Sequence, residues 1–329
     1  MLLQINNLEV EFPARQGNTL ALRGITFNLK AGERLGIVGE SGAGKSMVAF
    51  SILNLVSKPG RISRGSIIFE NQDLVQLDAN TMRAIRGGRI SMVFQDPMMT
   101  LNPVFTIGQQ MVETLRAHRE ISYDEAMRLS IEKLSEVSIP SPEERFKSYP
   151  HELSGGMLQR VVIAIALLTE PALIIADEPT TALDVTIQAE ILRLLLDVCK
   201  NHRMGLILIS HDIAVVSQVT ERMIVMYAGK TVEEGDTDLI CRQPGHPYTR
   251  GLIASLPERN RRGEMLYQIP GTMPSPLNVS ETGCAFAPRC SFGDNLCVSE
   301  TPAMRKVNNR NIRCFYADTI HNKSVTENE

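Results

Sequence analysis

One stretch limits the possible folds more than any other. Leu35-Gly36-Ile37-Val38 is an apolar run, Gly39-Glu40-Ser41-Gly42-Ala43-Gly44-Lys45-Ser46 is a glycine-rich loop, and Met47-Val48 continues as a helix. Gly39 to Ser46 fits G-x-x-x-x-G-K-[ST] at every required position. Triphosphate binding needs these residue types. Glycines let consecutive backbone N–H groups turn toward an anion, and the helix N-terminus adds partial positive charge. Lys45 can then neutralise β- and γ-phosphates, and the Ser46 hydroxyl can ligate the accompanying magnesium. A strand, a phosphate-ready loop and a helix in succession predict an α/β nucleotide-binding fold.

The remaining bounds are weaker. The 329 residues suffice for one large core and a smaller unit, and the net charge of −3 sets up no global field that would favour nucleic acid. The opening residues Met1 to Asn7 lack the basic and apolar regions of a signal peptide. The longest obvious apolar run, Val161 to Leu168, is far shorter than a membrane span. A soluble, cytosolic protein is expected, with any membrane role exercised through a partner.

Along the chain, Leu3 to Ile5, Leu8 to Phe12 and Leu20 to Leu29 read as strands, with a turn over Pro13 to Asn18. Phe12 can stack on an adenine face or, equally, serve as a core phenylalanine. The helix after the loop is expected to run from Met47 to Val56. Gly65 to Phe69 and Arg89 to Pro97 read as strands, the second releasing Gln95, a residue able to reach a magnesium or an attacking water. Ile107 to Arg119 and Asp124 to Val137 carry helical patterning, which marks a helical insert in the α/β core. Ser154-Gly155-Gly156 then opens another apolar helix, either as a second phosphate-ready N-terminus or as a plain N-cap. Ala172 to Pro179 is a buried parallel-type strand ending in Asp177, able to hold magnesium, and Glu178, able to polarise water. Ala182-Leu183-Asp184 precedes a helix from Val185 to Lys200. Gly205 to Asp212 is another apolar strand, and His211 at its end can contact a γ-phosphate. A hairpin is expected around Ala228-Gly229.

These motifs, in this order and spacing, resemble the ATP-binding subunits of ABC transporters. The resemblance implies a P-loop NTPase fold with a parallel core sheet, an antiparallel β layer and an inserted helical subdomain at about 98–165, all within a cassette over 1–240. It implies ATP and Mg2+ at Gly39, Ser41, Gly42, Gly44, Lys45 and Ser46, with Ser46, Gln95 and Asp177 around the magnesium and Phe12 against adenine. Glu178, His211 and Gln95 take the catalytic roles of base, γ-phosphate sensor and coupling residue. Ser154, Gly155, Gly156 and Asp184 serve nucleotide across a head-to-tail dimer with a second cassette, a paralogue in many such systems. Two transmembrane permease subunits, and through them an extracytoplasmic solute-binding protein, complete the implied assembly at the cytoplasmic face of the membrane. A non-transport ABC ATPase acting on nucleic acid or ribosomes is the alternative of a different class; the long insertions usual there are absent from this sequence, and no nucleic-acid partner is expected.

The segment Pro244 to Pro257, with Ile269-Pro270-Gly271 and Gly283 to Cys290, looks like the extension of dipeptide/oligopeptide permease ATPases. Peptides are therefore the implied cargo, with nickel or another small solute as the alternative. Within the extension, expected over 241–318 ahead of a flexible tail at 319–329, Cys284, Cys290, Cys297 and Cys314 are spaced C-x5-C-x6-C-x16-C. Four clustered thiols in a reducing compartment suit zinc or an iron–sulfur cluster, and unliganded thiols remain the plain alternative. The family resemblance implies a [4Fe–4S] cluster. Arg289 and Arg313 could offset cluster charge or lie solvated at the surface.

Overall fold

The computed structural model describes residues 1–14, 17–181, 183–257, 265, 267–280 and 282–321. Arg15 and Gln16 of the first expected turn, Ala182, and residues 322–329 of the expected tail lie outside them. Its strands are β1 (Leu3–Phe12), β2 (Thr19–Leu29), β3 (Arg34–Val38), β4 (Arg61–Phe69), β5 (Gln72–Asp73), β6 (Ile90–Val93), β7 (Leu173–Asp177), β8 (Gly205–Ser210), β9 (Arg222–Tyr227), β10 (Lys230–Asp236), β11 (Arg305–Val307) and β12 (Arg310–Ile312). The chain divides into two compact units. One holds Met1–Leu2, Leu29–Glu33 and Gln76–Leu208; the other holds Leu3–Asn28, Arg34–Val75 and Ile209–Glu329.

In the phosphate-loop unit, β2-β1-β4-β5 form the expected antiparallel layer. The two strands expected at 3–5 and 8–12 are one. Its buried positions are Leu3 and Ile5, then Leu8 and Val10, a one-residue change of phase. Asn7 at φ 46° and a register shift between Asn6 and Glu9 absorb that change as a bulge. A second set runs β11-β12-β10-β9-β3, with β3 and β9 parallel. The hairpin turn between β9 and β10 has φ values of 45° at Ala228 and 77° at Gly229, the positive pair that two-residue hairpins require. The tail is more than a loop-rich appendage, because β12 pairs with β10 and β11 with β12. The helix after the loop spans Lys45–Ile52 and stops short of Val56, since Asn54 turns left-handed at φ 51°.

In the other unit, β8-β7-β6 lie side by side with β6 and β7 parallel. All five residues of β7 and all six of β8 are buried, as strands sealed on both faces must be. The helical insert contains Ile107–His118, Tyr123–Glu136 and Pro142–Lys147, which pack on one another, the first two also on Gly155–Leu167. Thr106 and Gln109 close a reciprocal capping box on the first of these helices, and Ser122 caps the second. The sequence reading missed Pro142–Lys147. Its Phe146 ring lies against Gly108, where an added Cβ would come within 2.4 Å of it.

Candidate active site

The phosphate loop begins where β3 ends. A Cβ at Gly39 would fall 2.3 Å from the carbonyl oxygen of Met226, so only glycine fits there. Gly44 caps the following helix at φ 97°, leaving its first N–H groups turned toward the loop. Lys45 is only 5% exposed, and its Nζ donates to the carbonyls of Gly39 at 2.8 Å and Glu40 at 3.1 Å. The ammonium is thus held within the loop. Ser46 is half-buried beside it, and Ser41 and Gly42 are exposed at the crest. His211 follows β8 in exposed position, just ahead of Asp212, whose carboxylate accepts from Ala214 N–H and caps the helix Ile213–Val219. Phe12 is half-buried, with its ring against Gly60.

The other unit supplies carboxylates. β7 carries Asp177 to its C-terminal end, 5% exposed, and the chain then turns sharply at Glu178, a non-glycine residue at φ 48°. Such a conformation costs on the order of 1–3 kcal/mol and survives where its surroundings fix it. Here the Glu178 carboxylate accepts from Gln95 Nε2 at 3.2 Å and from Thr181 Oγ1 at 3.0 Å. Gln95 and Glu178, 83 residues apart, are therefore brought together. Ser154 caps Gly155–Leu167 by accepting from Met157 N–H, and Asp184 caps Val185–His202 by accepting from Ile187 N–H. A Cβ on Gly156 would sit 3.0 Å from Ile187 Cγ2, so these two helix starts lie side by side. The first start is exposed at Gly155, whereas the second is already capped by the Asp184 carboxylate.

The four tail cysteines are all free thiols and line one apolar cavity with His246 and Phe286. Burial pushes each thiol upward, to about 11 for Cys290 and Cys314, and neighbouring thiols add to the shift at Cys290, Cys297 and Cys314. Among the described residues, however, no group of three or more His, Cys, Asp or Glu side chains is arranged to hold a metal ion. The expected ligand set converges on a cavity without forming a finished metal site. Neutral thiols pack as small hydrophobes, and nothing draws their sulfurs to a common point. Neither arginine is solvated: Arg313, with Lys230, lies near enough to Cys284 to pull its thiol downward against burial, whereas Arg289 is engaged elsewhere. Arg313 Nε donates to Thr231 O at 2.9 Å, and Arg289 forms a fork on the Glu40 carboxylate at 2.9 and 3.1 Å. Glu40 and its tail partners had no sequence signal, since Glu40 occupies a free position of the phosphate-loop pattern.

Residues 22–181 match the family described as ABC transporter, and residues 232–297 match the oligopeptide/dipeptide transporter C-terminal region. The dipeptide transport ATP-binding protein DppD of Haemophilus influenzae is 45% identical, over 95% of this chain and 94% of that protein. The oligopeptide transport ATP-binding protein OppD of Bacillus subtilis is 48% identical, over 93% of this chain and 86% of that protein. Among solved structures, the dimeric, ADP- and Pi-bound ATP-binding cassette MJ0796 superposes with a TM-score of 0.65 at 28% identity, covering 72% of this chain and 99% of that one.

Proposed function

The chain belongs to the ATP-binding subunits of ABC transporters, and from that premise we propose that it binds and hydrolyses ATP to energise import of di- and oligopeptides. The observation that carries the chemistry is the Gln95–Glu178 pair at the end of β7. The Gln95 amide orients the carboxylate, which can accept a proton from an attacking water. Lys45 and the loop N–H groups bind the phosphates, and Ser46, Asp177 and Gln95 provide the oxygens for magnesium, which offsets phosphate charge. His211 senses the γ-phosphate, and Phe12 stacks on adenine. Ser154, Gly155, Gly156 and Asp184 contribute to the nucleotide held by a second cassette.

Permease subunits dock on the exposed apolar side chains around Gln95, namely Phe94, Met98, Met99, Val104 and Phe105, whose 37–85% exposure invites a partner. No helix among the described residues is long and apolar enough to cross a membrane, so that partner provides the attachment to the cytoplasmic face. Cys284, Cys290, Cys297 and Cys314 are the residues that would hold a [4Fe–4S] cluster, with zinc as the alternative: four soft donors line one apolar cavity, and their sulfurs would have to move to reach metal-holding positions. Such a group would supply a covalent staple for the tail. Anaerobic preparation with iron, sulfide and zinc analysis tests this; protein without any of them contradicts it. Transport is tested by co-assembly with the permease subunits in vesicles. Addition of peptide-loaded binding protein should stimulate ATPase several-fold, and indifference to peptide would overturn the cargo assignment.

A further inference from the structure

Glu40 places a carboxylate inside the loop that must bind a triphosphate. Uncompensated, that charge opposes the ligand. The structure compensates it from the tail. Both Glu40 oxygens are held by Arg289, through Nη1 at 2.9 Å and Nη2 at 3.1 Å, and the arginine side chain is only 7% exposed. Arg289 is itself fixed, its Nε donating to Pro270 O at 2.7 Å while its guanidinium lies 5.8 and 5.9 Å from the ring centroids of Tyr227 and Phe286. The Glu40 backbone is gripped separately, its N–H donating to Tyr248 Oη at 2.7 Å. Tyr248, Tyr227 and Phe286 meet edge-on or tilted at 4.8–5.4 Å, which locks the three rings into one block. Met273 reaches the loop crest, with its Cγ 3.9 Å from where a Gly42 Cβ would stand.

We propose that Arg289 is a positioning residue for nucleotide binding: it cancels the Glu40 charge and holds that side chain clear of the phosphates, making the tail part of the ATP site. This rests on reading the loop as an ATP site. It assigns the extension a task that a separate appended module would not have.

The test measures trinitrophenyl-ATP binding and steady-state ATPase on the full chain for Arg289→Gln, Arg289→Lys, Glu40→Gln and the Glu40→Gln/Arg289→Gln pair. Arg289→Gln should raise Kd and KM by about tenfold or more, in line with loss of a charge-assisted fork, while kcat at saturating ATP stays within about threefold. Arg289→Lys should recover part of the affinity. The double variant should recover most of it, because no carboxylate is left to cancel, and a purely structural role of Arg289 would not produce that rescue. Unchanged Kd in Arg289→Gln, or a double variant as weak as the single one, overturns the proposal. Should Arg289→Gln fail to fold, Glu40→Gln alone decides. Affinity equal to or tighter than wild type supports charge cancellation, and a tenfold loss overturns it. Wild-type protein that binds nucleotide without hydrolysing it would contradict the proposed function and leave the binding comparison intact.

Discussion

The phosphate loop and the cysteine cavity face opposite electrostatic tasks within one unit. The loop gathers positive charge for an anion, and it is finished in the protein alone: Lys45 is tied to Gly39 and Glu40 carbonyls, and Gly39 and Gly44 fix the backbone. The cavity gathers four potential anions, and burial, outweighing the pull of Lys230 and Arg313 on Cys284, holds the thiols protonated, about 11 for Cys290 and Cys314. One site is preorganised for an anion, and the other is a set of neutral, buried thiols. Preorganised electrostatics suit a loop that must meet ATP in every cycle. The proposed metal, were it bound by these thiols, would be a staple installed once.

Changes in the loop should cost most. Lys45→Ala removes the buried ammonium, and nucleotide affinity should fall by roughly a hundredfold with the melting temperature held, as charge-assisted contacts of this kind predict; a tenfold or smaller loss would mean the loop backbone carries the binding. Gly39→Ala comes next. The 2.3 Å approach to Met226 O forces a shift, so about 1–3 kcal/mol of stability should be lost in denaturant unfolding, together with weaker nucleotide binding. Cys290→Ser should behave differently. It should remove bound metal and lower the melting temperature by several degrees, while ATP affinity stays within about threefold, because a staple acts on stability first. If Cys290→Ser weakened ATP binding as far as Lys45→Ala, the contrast between the two sites would collapse. Smallest in its effect on nucleotide binding is Gly108→Ala, in the first helix of the helical insert. Crowding of Phe146 should cost about 1–3 kcal/mol with KM unchanged.

The same contrast explains what could be read from the sequence. The loop, the acidic end of β7 and the capped helices are local, each written in a few consecutive residues whose types have physical reasons. Family resemblance gave Gln95 and Glu178 separate roles without the contact between them, and Glu178's left-handed backbone had no signal in the residue itself. In the tail, three-residue strands such as β11 and β12 are too short for periodicity to register. Arg289 and Glu40 are 249 residues apart, and nothing near either one announces the other. The loop-closing helix was read too long because Asn54, not the later Pro59-Gly60, ends it. Cysteine spacing suggested a metal site; the four thiols do line one cavity, but among the described residues they are not arranged to hold a metal, and sequence spacing does not fix where sulfurs stand in three dimensions.

The central claim is that Glu178, held by Gln95 and Thr181 at the end of β7, is the base for ATP hydrolysis. Single-turnover ATPase of Glu178→Gln against wild type tests it most directly. Hydrolysis should fall by about a hundredfold to ten-thousandfold, the range for loss of a general base, with ATP affinity retained and the cassettes trapped as an ATP-bound dimer. A Glu178→Gln protein that turns ATP over within a few fold of wild type would contradict the account.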